Sequence, residues 1–186
     1  MIDDLDHCIQ SIQSDTWIVA WSAAYEIATY GREALPALIP LLSVASARTR
    51  NAVALALREI ADEAAVEPLV QAIRSPLTAG SRGCLVYALQ THPCEEYFLF
   101  LFNLTLTDTY EVQNHALTIL AKQTFWYDLE DLDCAQKQLD QYASSQDRDP
   151  DTDGLIGDLS TLLADLRDQA ARSVDDSHSQ ERKAFL

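Results

Sequence analysis

Apolar residues recur along this chain at helical spacing, and the spacing itself repeats. Taking Ala20, Arg50, Arg82 and Gln113 as equivalent positions, the residues three, four and seven places after each are apolar: Ala23, Ala24 and Ile27; Val53, Ala54 and Leu57; Leu85, Val86 and Leu89; Ala116, Leu117 and Leu120. At about 100° per residue these positions fall on one stripe, so each unit predicts a helix with one buried face. Between these helices lies a second apolar set: Leu35, Leu38, Ile39 and Leu42; Val66, Leu69, Val70 and Ile73; Phe98, Leu101 and Phe102. Each unit of 30 to 32 residues is therefore a helical hairpin, and the chain predicts an all-α superhelix built by stacking such hairpins.

The punctuation agrees. Tyr30-Gly31 ends one helix, Pro76 to Gly80 forms a loop, and Thr91-His92-Pro93 stops another, because proline lacks the donor a helix needs and glycine tolerates left-handed backbone. Asp108 is placed to cap the helix after it. Residues 1–142 are read as the repeat solenoid, 143–152 as an acidic linker, 153–171 as a capping helix and 172–186 as a polar, disordered tail. The capping helix carries Leu155, Leu159, Leu162, Leu163 and Leu166 on one side, with acidic residues covering the end of the stack.

The stretch from Arg50 to Asp62, RNAVALALREIAD, followed by Glu63 to Ile73, EAAVEPLVQAI, resembles the short HEAT repeat of bacterial proteins of the bilin lyase type. The resemblance covers residues 3–125 and weakens over 82–123, where Gln113 stands in place of the usual arginine. It implies an α-solenoid of HEAT-like hairpins, in which the repeat arginines Arg50 and Arg82 bind neighbouring repeats together by pairing with acids. A tetratricopeptide array fits less well, since the period is too short and its Trp, Gly and Tyr signature is missing.

Charge narrows the partner. The net charge is −16 and the acid is concentrated in residues 128–186, which argues against nucleic acid, whose binding needs clustered Lys and Arg. A protein partner of basic character is expected instead. No stretch is long and apolar enough to suggest a membrane partner, and the acidic beginning MIDDLDHCIQ lacks the basic and apolar segments of a secretion signal, so the expected location is cytoplasmic. Cys8, Cys84, Cys94 and Cys134 show no paired spacing and are expected to be reduced.

Candidate chemistry is sparse. Asp149-Pro150-Asp151-Thr152-Asp153-Gly154 matches the first half of an EF-hand loop, but its twelfth position is Ser160 where a bidentate Glu belongs, so no calcium site is expected. Cys84, His92 and Cys94 fall short of a zinc ligand set, and His92 is expected to be a buried structural histidine. Arg48, Arg50, Arg58 and Arg82 form a candidate anion site, weighed against ordinary ion pairing. No nucleophile, phosphate loop or cofactor signature appears. The expectation is a non-catalytic interaction module without a cofactor. The alternative, implied by the resemblance alone, is a bilin lyase or isomerase subunit acting on phycobiliproteins.

The helical phase also predicts where a partner binds. Positions one, two, five and nine after each marker point away from the core, on the side that lines the concave surface of a HEAT-like solenoid. Trp21, Tyr25, Leu55, Tyr87, His115 and Thr118 are therefore expected to form a partly aromatic partner-binding ridge, because exposed aromatic rings bury much area for little lost rotamer freedom.

Overall fold

The computed structural model describes residues 2–44, 46–145 and 152–184, with side chains over 4–44, 46–145 and 152–172. Five hairpins follow one another, and among the described residues the regular structure is entirely helical. The first pairs α1 (Ile2–Ser11) with α2 (Trp17–Ala28). In the second, α3 (Leu35–Leu38) precedes α4 (Ala47–Ile60). The third and fourth pair α5 (Val66–Arg74) with α6 (Gly83–Leu89), and α7 (Phe98–Thr107) with α8 (Tyr110–Lys122). The last joins α9 (Leu129–Ala143) to α10 (Asp153–Ala184). The second helices α2, α4, α6 and α8 pack each on the next, and α7 packs on α9. The chain is thus an all-α solenoid of HEAT-like hairpins, with one continuous core running between the two layers.

The stripes that define the repeat are the core. Of the twelve marker-derived positions all are buried except Leu117, which is half-buried. The intervening set is equally interior, with Leu69, Ile73, Leu101 and Phe102 fully enclosed. The first helix of the second hairpin departs from a regular α-helix. Pro36 and Pro40 each remove a donor, and the segment becomes a 3-10 turn at Gly31–Ala34, the single α-turn α3 and a second 3-10 stretch at Ile39–Ser43. Leu35, Leu38 and Leu42 are buried all the same.

Helix ends follow local chemistry. The Ser46 hydroxyl accepts from Thr49 N–H at 3.2 Å to start α4, and Asp128 and Asp131 form a reciprocal capping box on α9. Asp108 is not the cap of α8. Its Oδ1 accepts from the neighbouring Thr109 N–H at 2.8 Å, while Oδ2 faces Arg82 at 3.2 Å. The last helix runs on to Ala184, past the boundary at 171 expected for the capping helix, into the stretch read from sequence as a tail.

α4 ends at Ala61, whose φ of 52° and ψ of 38° place it in the left-handed region. Alanine pays a steric penalty there that glycine avoids. Ala61→Gly is expected to stabilise the protein by about 0.5–1 kcal/mol, seen as a raised urea midpoint at unchanged slope. A lower midpoint would show that unfolded-state freedom outweighs the relieved strain.

Candidate interaction surface

The residues expected to form the ridge fall into two clusters of different character. On α2, Trp17, Trp21 and Tyr25 lie four residues apart and stack in sequence: Trp17 meets Trp21 edge-on at 5.0 Å, and Trp21 meets Tyr25 at 6.3 Å. The three are 38%, 42% and 44% exposed, and Ile18 beside them is 75% exposed. α1 packs on α2 but leaves this side uncovered, so Trp21 and Tyr25 are not enclosed by an N-terminal cap.

The second cluster crosses three helices. The Arg58 guanidinium of α4 sits 3.9 Å from the centre of the Tyr87 ring on α6, and the far neighbour of Tyr87 is His115 on α8 at 5.1 Å. Arg58 also donates to the Tyr87 carbonyl at 3.0 Å, and Thr91 Oγ1 donates to the Arg58 carbonyl at 2.9 Å. His115 Nδ1 lies 3.2 Å from the Gln90 amide nitrogen and its Nε2 is 3.9 Å from Glu111. Desolvation lowers the His115 pKa, with Arg58 adding to it and Glu111 opposing. Tyr87 and His115 are therefore fastened into a contact that joins successive repeats, and Tyr87 remains partly exposed beside it. Leu55 is half-buried, and the Thr118 hydroxyl donates to the Asn114 carbonyl of its own helix at 2.8 Å.

The four arginines do not converge. Arg48 donates to the Asp15 carbonyl and lies 3.6 Å from the Asp15 carboxylate. Arg50, 2% exposed, donates to the Val44 and Leu77 carbonyls and to Ser81 Oγ. Arg58 covers Tyr87, and Arg82 pairs with Asp108. The candidate anion site is thus dispersed into four separate structural contacts. Arg82 pairs with an acid in the way the family resemblance implies; Arg50 donates to carbonyls and a hydroxyl of the neighbouring hairpin.

His92 is 2% exposed and donates through Nδ1 to the Ala88 carbonyl at 2.9 Å, as expected of a structural histidine. Burial holds its pKa below the usual value, and the buried Nε2 has no hydrogen-bond partner. Cys94 beside it is fully enclosed, and burial pushes its thiol up to about 12, so it is not a reactive thiolate at neutral pH. Among the described residues no group of three His, Cys, Asp or Glu could hold a metal ion, and no helix is long and apolar enough to cross a membrane. Asp149 and Asp151 of the half-matched calcium motif lie outside the described residues.

Trp126, which no helical phase could place, is 68% exposed in the segment between α8 and α9. It was missed because residues 124–128 belong to no periodic element. The only sequence signal was the FWY triplet itself, Phe125-Trp126-Tyr127, directly after the last repeat helix.

No match to the chain was found among curated proteins. Residues 5–90, which run from α1 through the end of α6, match the family model of HEAT repeats, a repeat class that generally serves protein–protein interaction.

Proposed function

We propose that this chain is a non-catalytic protein-interaction module that binds a basic protein partner through the outer side of its second-helix layer. The observation that carries the reading is the uncovered Trp17, Trp21 and Tyr25 stack on α2 with Ile18 beside it. A stable fold gains nothing from leaving such rings in water, whereas a partner that covers them buries large amphipathic surfaces at low entropic cost. The net charge of −16 supports a basic partner by steering its approach. Catalysis is outside the proposal, and with it the bilin lyase alternative, which a coloured covalent product from bilin and apo-phycobiliprotein would reinstate.

The test compares partner capture by the wild-type chain with that by Trp21→Ala/Tyr25→Ala, with captured proteins identified by mass spectrometry. The double variant is expected to lose at least about tenfold in affinity for the recovered partner, since central aromatic anchors each contribute about 2 kcal/mol or more. Its melting temperature should stay close to that of wild type. Normal capture by the folded variant would remove α2 from the interface. Tyr87 is a poorer probe, because its removal also dismantles the Arg58 and His115 stack.

A further inference from the structure

The segments that lead from α4 to α5, from α6 to α7 and from α8 to α9 meet along one edge of the solenoid. They are stapled to one another. Trp126 N–H donates to the Glu95 carbonyl at 2.8 Å, and Gln123 accepts from Cys94 N–H and donates to the His92 carbonyl, both at 3.0 Å. On this edge an open pocket of about 340 Å³ lies between Trp126 and Tyr97, and Glu63, Glu67, Glu95 and Glu96 stand around it. Among the described residues none of the four glutamates pairs with a lysine or arginine.

Two features make this more than a patch of surface acid. The Trp126 indole is held outward by its neighbours: Phe125 and Tyr127 turn in against Phe98 at 5.9 and 5.7 Å, and the backbone between them is pinned to Glu95. An aromatic face is therefore presented to solvent by a fixed loop. Glu67 is fixed too, since its Oε1 accepts from Gln71 at 2.6 Å and its Oε2 from the Tyr97 hydroxyl at 2.6 Å. The Gln71 and Tyr97 donors lower the Glu67 pKa, so it stays ionised, and the same bond pushes the Tyr97 hydroxyl up to about 12. An exposed indole on a pinned backbone, beside four carboxylates of which only Glu67 feels Arg74, matches a planar cation that stacks on a ring and forks onto carboxylate oxygens. The chain already uses that packing within itself, where Arg74 lies 4.8 Å from the Phe100 ring in the groove adjoining Trp126.

We propose that this pocket receives an arginine side chain from an extended basic segment of a partner protein. The proposal rests on the protein-binding reading above but places the basic contact on a second surface, so each can fail alone. Stacking on Trp126 fixes the guanidinium plane, and Glu95 and Glu96 accept its hydrogen bonds.

The test uses the full chain with labelled tryptophan indoles and an acetylated, amidated octapeptide of Gly and Ser carrying three arginines. The Trp126 indole resonance, assigned with Trp126→Phe, is expected to shift saturably with a dissociation constant below about 1 mM, while the same peptide with citrulline in place of arginine gives no saturable shift. Glu95→Gln/Glu96→Gln and Trp126→Leu should each weaken binding about tenfold. The charge-matched Asp158→Asn/Asp168→Asn and the Trp21→Ala/Tyr25→Ala chains should bind as wild type. Equal weakening by the Asp158 and Asp168 change would reduce the effect to diffuse attraction and overturn the site. Binding that shifts Trp17 and Trp21 instead, or that citrulline reproduces, would do so as well.

Discussion

Arg50→Met is expected to lower the unfolding free energy by about 2–3 kcal/mol, because it removes one charged donor shared by several part-buried acceptors. The guanidinium is 2% exposed. Nη1 donates to the Val44 carbonyl at 2.7 Å, just before α4, while Nη2 donates to the Leu77 carbonyl at 3.3 Å and to Ser81 Oγ at 3.1 Å, in the turn between α5 and α6. One side chain thus ties the second hairpin to the third. Methionine fills similar volume, so the loss reports hydrogen bonding and charge rather than a cavity. Solenoid stability is close to a sum of repeat and nearest-neighbour terms, so weakening one junction should also broaden the urea transition as the two sides unfold less cooperatively. Arg50→Lys should recover only part of the loss, since a single ammonium cannot span both sets of acceptors. A loss below about 1 kcal/mol would mean that water reaches those carbonyls and that the junction is held by apolar packing alone.

The layers of the fold were legible because burial imposes its period on the sequence. Ala23, Val53, Leu85 and Ala116 all lie in the core from one phase argument, as do Leu69 and Phe102 from the other. What the pattern could not show is how a stripe is delivered to the core. Leu35, Leu38 and Leu42 keep helical spacing although Pro36 and Pro40 break the backbone into short turns, because a 3-10 turn still returns every third residue to the same side. Asp108 looked like a cap from its place before α8. It instead faces Arg82, 26 positions earlier, a partner that local reading cannot supply.

The candidate surface was legible where exposure followed from one helix alone. Trp21 and Tyr25 are outward by phase and remain so. Tyr87 is outward by the same phase, yet Arg58 and His115 arrive from the adjoining helices and pack on it. The edge pocket escaped sequence reading altogether. Its carboxylates and its tryptophan come from three inter-helix segments and the start of α5, and only the stacking of hairpins brings positions 63, 95 and 126 together.

That edge depends on one core ring, so Phe98→Ala is expected to cost about 3–5 kcal/mol and to loosen the loop that carries Trp126. Phe98 is 2% exposed and meets Phe102 and Phe125, each at 5.9 Å, and Tyr127 at 5.7 Å. Removing the ring leaves a cavity lined by the two aromatic residues that flank Trp126 and hold it outward. Tyr127 also donates through its hydroxyl to the Leu166 carbonyl at 3.3 Å, so α10 loses part of its seat when Tyr127 shifts. Urea unfolding measures the global cost, and limited chymotrypsin digestion under native conditions measures the local one, since cleavage requires the 125–127 segment to open. Cutting in that segment should rise well before the rest of the solenoid is attacked. Phe100→Ala provides the comparison: that ring is half-buried, with Arg74 against it, and its loss should cost about 1 kcal/mol and leave the cleavage pattern unchanged. If Phe98→Ala costs no more than Phe100→Ala, or if first cleavage falls within α2 or α4, the aromatic cluster does not hold the loop.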